Sequence, residues 1–306
     1  MENREKYLSF VVPCYNSESY MARCIESLLP GGEDVEIIII DDGSKDKTGE
    51  IADAYQKQYP DLVKVIHKEN GGHGSGVNAG LACARGVYFK VVDSDDWLDG
   101  TAYQKLLEKI RYYCKEAGEG EEKPDLFVCN YVYNHLEQQI TRSMGYGNVF
   151  PAEKICPWSE TGHFLPSQYL VMHALVYRTE ILLQSGIVLP EHTFYVDNLF
   201  AYCPLPYVRN IFYMDIDLYQ YYLGRDDQSV NEQMLKKRID QQMKVTRMVI
   251  AGADLTKIKE KEPKLASYMY RNISIMMAIS SIHLLLIGNE EESVGRYQNI
   301  QSETVL

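Results

Sequence analysis

The chain has 306 residues, 45% hydrophobic and 24% charged, with a formal net charge of −12. This is ordinary for a soluble globular protein that buries a full core in one large domain or two modest ones. The acidic balance argues against sequence-independent nucleic-acid binding, which needs a basic face, and suits a protein that recruits a metal to bring an anionic ligand into an acidic pocket.

Taken in order, Leu8 to Pro13 reads as a short apolar strand, and Ser17 caps a helix from Glu18 to about Leu29. Val35 to Ile40 is almost wholly β-branched, the mark of a strand buried on both faces, and stops at Asp41-Asp42-Gly43-Ser44. A helix over 47–59 and a strand over 62–66 lead to Asn70-Gly71-Gly72-His73-Gly74-Ser75-Gly76. A helix over 77–84 then feeds the strand that begins at Val87. This alternation predicts an α/β fold whose parallel strands end at one edge, bringing Tyr15, Asp42, Asn70 and Asp93 together.

Further on, the pattern predicts a helix over 101–115 and two strands of an antiparallel addition, 125–133 and 139–144. Short helices are expected over 165–172, 179–184 and 198–202, and two strands over 211–214 and 218–223. Helices over 232–250 and 265–287 follow. Met243, Met248, Met276 and Met277 give them adaptable apolar surface for packing, acceptor docking or self-association as a homo-oligomer. The apolar run Ile273–Gly288 is short for a membrane span and reads as a buried or partner-facing helix.

Seven cysteines form no CxxC pair, as expected of reduced, buried thiols. The charged start, Met1 to Lys6, leads straight into a strand without a signal-peptide apolar region. Both features point to a cytoplasmic protein, either free or peripheral at the inner membrane face. No stop signal is legible at Leu306, so a longer parent protein is an open expectation.

The chemistry gathers at Val87 to Trp97, a buried strand ending in Asp93-Ser94-Asp95-Asp96. Such a strand end can hold a divalent cation through oxygen ligands, or be an acidic turn with Asp99 capping the next helix. The Asp41–Ser44 turn can bind a nucleobase N–H or cap a helix through Asp46. The glycine loop at 70–76 suits phosphate but is neither a Walker loop nor a dinucleotide fingerprint.

Together, Pro13-x-Tyr15-Asn16-x-Glu18, Asp41-Asp42-Gly43-Ser44-x-Asp46-x-Thr48, Asn70-Gly71-Gly72 and Asp93-Ser94-Asp95-Asp96 resemble the family 2 glycosyltransferases. These are inverting enzymes of the GT-A fold that use nucleotide-diphosphate sugars. The likeness covers residues 7–100 closely and extends loosely to about 225. It implies a nucleotide-binding, mostly parallel sheet flanked by helices (1–228) with a C-terminal helical extension (229–306). It also implies a UDP-sugar as donor, Mn²⁺ or Mg²⁺ as cofactor, and a carbohydrate, lipid-linked or other hydroxyl acceptor.

On that resemblance Asp42 contacts the base, Tyr15 and Glu18 line the nucleoside pocket with Pro13, and Asn70, Gly71, Ser94 and Asn78 surround the donor. Asp93 touches ribose and Asp95 the metal, while Asp96 holds the loop. Asp197, in Phe194-Tyr195-Val196-Asp197-Asn198-Leu199-Phe200, matches the family's catalytic base, although Val196 replaces the usual Glu before it. Desolvation in that apolar stretch would raise its pKa, as suits a base; the alternative is a helix cap. Arg225 either grips the diphosphate or sits in a solvated turn. His173 either faces the acceptor or is a satisfied core histidine, and Trp97 either stacks on sugar or packs under the loop. Two rival functions stay open: a non-catalytic nucleotide-sugar-binding protein, and a sugar nucleotidyltransferase, which would want a Gly-rich, basic loop after the first strand.

Overall fold

Four parallel strands carry the first half of the chain: β1 (Lys6–Cys14), β2 (Val35–Asp41), β3 (Val63–His67) and β4 (Gly86–Val91), side by side in the order β3-β2-β1-β4. This computed structural model describes residues 6–118, 120–135, 138–224 and 237–286. All of β2 is buried, as a strand covered on both faces must be. Its one interior carboxylate, Glu36, accepts Ser9 Oγ at 2.6 Å, the Arg85 N–H at 2.6 Å and Arg85 Nε at 2.9 Å. A buried charge persists only with such partners.

Neighbours on a strand point to opposite faces. Tyr103 of α4 (Gly100–Arg111) packs edge-on against Phe10, at 5.5 Å between ring centroids. Gly80 of α3 (His73–Cys83) abuts the next residue, Val11, so closely that a Cβ there would lie 2.4 Å from a valine methyl. The two helices therefore cover opposite faces, and α1 (Met21–Leu28) and α2 (Thr48–Gln58) complete the α/β alternation.

Register sets the functional edge. Cys14 pairs with Asp41 and Asp41 with His67, so the segments that follow β1, β2 and β3 leave from one rim, and Asp93 follows β4 there. Beyond β5 (Trp97–Leu98) the sheet becomes mixed. β6 (Leu126–His135), β9 (Leu175–Arg178) and β10 (Ile211–Leu223) extend it in the order β4-β9-β6-β10-β5. β7 (Ile140–Met144) pairs antiparallel with β6, and β8 (Ile155–Cys156) with β10.

Several boundaries differ from the sequence reading. The two expected strands over 211–223 are one, β10, whose register shifts between Met214 and Tyr219; the polar break is a bulge with Asp215 and Asp217 exposed. The expected helix over 165–172 is irregular, because side chains supply its backbone partners: Gln168 Oε1 accepts the Leu165 N–H at 3.0 Å and Tyr268 Oη that of Leu170 at 3.0 Å. Helix α1 starts at Met21, with the Ser17 carbonyl accepting the N–H groups of Tyr20 and Met21. Helix α3 starts four residues earlier than expected, at His73, because its glycines let it run close against its neighbours.

After α5 (Thr179–Ser185) and α6 (Asp197–Tyr202) come the C-terminal helices α7 (Ile239–Ala251), α8 (Leu255–Lys261) and α9 (Pro263–Leu286). Tyr268 of α9 stacks on Trp158 at 5.9 Å and meets Phe164 at 4.4 Å, fixing the helix against the 158–172 segment. Helix α9 is long and apolar enough to cross a membrane, with mean hydropathy 1.2 and a third of that window buried. The expected boundary at 228/229 lies outside the described residues.

Candidate active site

The rim of the parallel sheet opens into a cavity lined by Pro13, Tyr15, Asp42, Asn70, Gly72 and Phe194. Asp42 is almost fully buried, and the glycine loop is folded around its carboxylate. It accepts the Gly71 N–H at 3.0 and 3.2 Å, the Gly72 N–H at 2.7 Å and Lys68 Nζ at 2.8 Å. Asn70 Nδ2 donates to the Asp42 carbonyl at 2.9 Å. At Gly72, φ is +83° and a Cβ would sit 3.2 Å from the His192 nitrogen, so glycine alone fits. That approach lets the His192 N–H donate to Gly71 O at 2.6 Å, docking the 187–196 segment on the loop. Asn78 holds the same segment by two bonds to the Leu189 backbone, at 2.8 and 3.0 Å. Glu18 is exposed and accepts the Lys47 N–H at 2.9 Å. Arg225 lies outside the described residues.

The acidic turn comes next. Pro13, Tyr15, His73, Ser94, Asp95 and Asp197 line one cleft with Asp93, contiguous with the first cavity. Asp93 Oδ1 meets His73 Nε2 at 2.8 Å; burial works to raise its pKa, but the His73 charge and hydrogen bond hold it below the usual carboxylate range. Ser94 Oγ pairs with Ser17 Oγ at 2.8 Å. Asp96 is wholly buried, accepting Tyr219 Oη at 2.6 Å and the Tyr222 N–H at 2.8 Å, and burial with the charges of Asp95 and Asp93 pushes its pKa well up. It holds the loop to β10. Arg23 donates to the Asp95 carbonyl at 2.9 Å and lies 3.8 Å over Trp97, so the indole packs against the loop.

One neighbour of this turn, Lys90, escaped the sequence reading, and another, His173, does not fit its expected alternative as a satisfied core residue. Lys90, fully buried in β4, donates to the His173 carbonyl at 2.7 Å, and burial lowers its pKa to about 8 despite the nearby acids. A lone lysine inside a strand buried on both faces was the available signal. His173 stacks between Tyr219 and Tyr221, 4.7 Å from each, and its buried Nδ1 has no hydrogen-bond partner. It is therefore not a satisfied core histidine; burial lowers its pKa to about 4, leaving it neutral.

Asp93, Asp96 and His173 bring ligand atoms within 4.8 Å of one another, an oxygen-rich set of the kind a hard divalent cation takes. Both Asp96 oxygens already accept bonds, so Asp93 and Asp95 are the carboxylates of the turn that line the cleft.

Asp197 opens α6. Burial raises its pKa above the usual range, with His73 opposing and Asp93 adding. On its other side a second cavity runs between the sheet and α9, lined by Tyr131, Tyr133, Tyr221, Gln242, Asn272 and Ile279 among others. Tyr195, Asp197 and Tyr221 line both spaces, so Asp197 stands where the two meet.

Residues 9–117 match the family model of Glycosyl transferase family 2. The chain is 37% identical over 132 residues to glycosyltransferase GlyG of Streptococcus pneumoniae serotype 4, covering 42% of this chain and 40% of that protein. It is 43% identical over 103 residues to the uncharacterized glycosyltransferase EpsJ of Bacillus subtilis, covering 33% of this chain and 30% of that protein. The match thus spans about a third of the length of these relatives. In three dimensions the chain is similar to S. aureus TarS 1-349 in complex with UDP-GlcNAc (TM-score 0.57, 19% identity, 97% of this chain and 90% of that one). It is also similar to the mannosyltransferase PcManGT of Pyrobaculum calidifontis in complex with GDP-Man and Mn²⁺ (TM-score 0.56, 11% identity, 99% and 84%). With its curled mixed sheet and C-terminal helices the chain has the GT-A fold, and the match to the Glycosyl transferase family 2 model is confined to residues 9–117.

Proposed function

We propose that the protein is an inverting glycosyltransferase that moves a sugar from a nucleotide-diphosphate donor, a UDP-sugar, to an acceptor hydroxyl. The observation that carries this reading is one cleft lined by Asp93, Asp95 and Asp197 together, continuous with the cavity at Asp42 and Asn70. Tyr15 and Pro13 receive the nucleoside, and Asp93 accepts from the ribose hydroxyls. Asp93 and Asp95 would hold Mg²⁺ or Mn²⁺, which supplies charge neutralisation to the departing diphosphate. Asp197 takes the proton of the acceptor hydroxyl, and attack from its side, away from the diphosphate, inverts the anomeric centre. Burial raises the Asp197 pKa, which makes its carboxylate a stronger proton acceptor, as a general base requires.

The test is incubation with Mn²⁺ and UDP- or GDP-sugars, following nucleotide release with the parent protein and with Asp197→Asn. The expected result is donor binding by both and transfer by the parent alone. Equal transfer rates would remove Asp197 as base. Pyrophosphate formed from a nucleoside triphosphate would favour a nucleotidyltransferase, and binding without turnover in the parent a non-catalytic binder.

A further inference from the structure

We propose that the tyrosine-walled cavity beyond Asp197 is the acceptor site and that it takes an uncharged saccharide ring. The inference rests on the glycosyltransferase reading above and adds the class of acceptor and a task for the C-terminal helices.

Position supports it first. Asp197, Tyr195 and Tyr221 line both the acidic cleft and this cavity, so a hydroxyl entering from the cavity meets the base before it meets the donor. The walls support it next. Tyr131 and Tyr133 meet at 5.3 Å, Tyr133 and Tyr221 at 5.6 Å, and Tyr221 is stacked on His173, giving a continuous aromatic surface. Ile275, Met276 and Ile279 of α9 also line the cavity. A pyranose has an apolar C–H face rimmed by hydroxyls, and tyrosine offers a flat ring with a hydroxyl at its edge.

The polar groups decide the class. Gln242 of α7 and Asn272 of α9 are 4% and 8% exposed and line the same space. Amides give donors and acceptors without charge, as sugar hydroxyls need. Among the described lining residues Asp197 is the one acid, and no lysine or arginine is present. A phosphate or uronate would find no lysine or arginine to pair with there and would face the Asp197 carboxyl. A lipid chain would make no use of the amide and phenol edges that a ring of sugar hydroxyls can hydrogen-bond.

The experiment is saturation-transfer NMR on the full chain with UDP and Mn²⁺. The ligands are methyl glycosides of neutral hexoses and N-acetylhexosamines, a methyl glucuronoside and a short prenyl phosphate. Neutral glycosides should bind. Ile279→Trp, which fills the cavity, and the milder Tyr133→Ala and Gln242→Leu should each weaken binding about tenfold, the factor that corresponds to ~1.4 kcal/mol. UDP affinity should not move, and Leu285→Trp, on an exposed position of α9, should bind as the parent does. The proposal is overturned if no neutral glycoside binds, if the cavity variants bind as the parent does, or if the glucuronoside or prenyl phosphate binds in their place. Failure of the parent reading shows separately: glycosides bind, yet no nucleotide sugar releases its nucleotide, which removes the acceptor role.

Discussion

Asp42 offers a test of whether a donor-site residue is first a structural anchor. Its buried carboxylate accepts two backbone N–H groups, from Gly71 and Gly72, and the ammonium of Lys68. A hydrogen bond to an ionised buried acceptor contributes about 1.5–3 kcal/mol, and its loss leaves an amide without a partner. Lys68 is 24% exposed, so its pair adds only about 0–1 kcal/mol. Asp42→Ala should therefore destabilise the fold by roughly 3–6 kcal/mol. Asp42→Asn keeps one acceptor oxygen and turns an NH₂ toward the other donors, so about half that loss is expected. Urea unfolding reads the effect as a lower midpoint at unchanged slope, and amide exchange at Gly71 and Gly72 should quicken in the same order. If Asp42→Ala left the midpoint and both exchange rates unmoved while nucleotide affinity fell, the anchor argument would be refuted and base contact would be the whole role.

Other consequences are open to direct measurement. Asp95→Ala should abolish the metal-dependent part of donor binding, and a chelator should lower UDP affinity in the parent but not in the variant, as calorimetry would show. Because burial raises the Asp197 pKa and a base must be ionised, transfer should fall as pH drops, with a midpoint above the usual carboxylate range. A rate profile whose acid limb lies at an ordinary carboxylate pKa, or persists in Asp197→Asn, would contradict the assignment. In Gly80→Ala the helix-propensity gain of about 1 kcal/mol opposes overpacking that costs about 1–3 kcal/mol or more. With the new Cβ 2.4 Å from a Val11 methyl, the clash should win, and thermal unfolding should come earlier.

Much of the N-terminal half was legible from sequence because its signals are local. A β-branched run ending in acids, followed by a helical segment, specifies a buried parallel strand and a polar rim without knowledge of anything distant. Parallel pairing then carried Tyr15, Asp42, Asn70 and Asp93 to one edge, as expected. The partly buried, apolar setting of Asp197 could also be read from its sequence neighbours. The second half resisted because its order is set by tertiary partners: Tyr268 and Gln168 take over backbone bonds that would otherwise make 165–172 helical, and a bulge disguises β10 as two strands.

What the sequence by itself determined is the sheet edge, its acids and the family whose motifs they match. Only tertiary structure decided how those acids divide their work. Asp96 and Asp93 lie three apart in sequence and face opposite fates, one sealed against Tyr219 and Tyr222, the other lining the cleft beside His73. Asp42 is wrapped by a loop that begins nearly thirty residues later, and the cavity beyond Asp197 exists only because α9 closes on β6 and β10. Motif spacing records which side chains share an edge. Burial and hydrogen-bond partners, which fix charge and role, come from contacts between segments far apart in the chain.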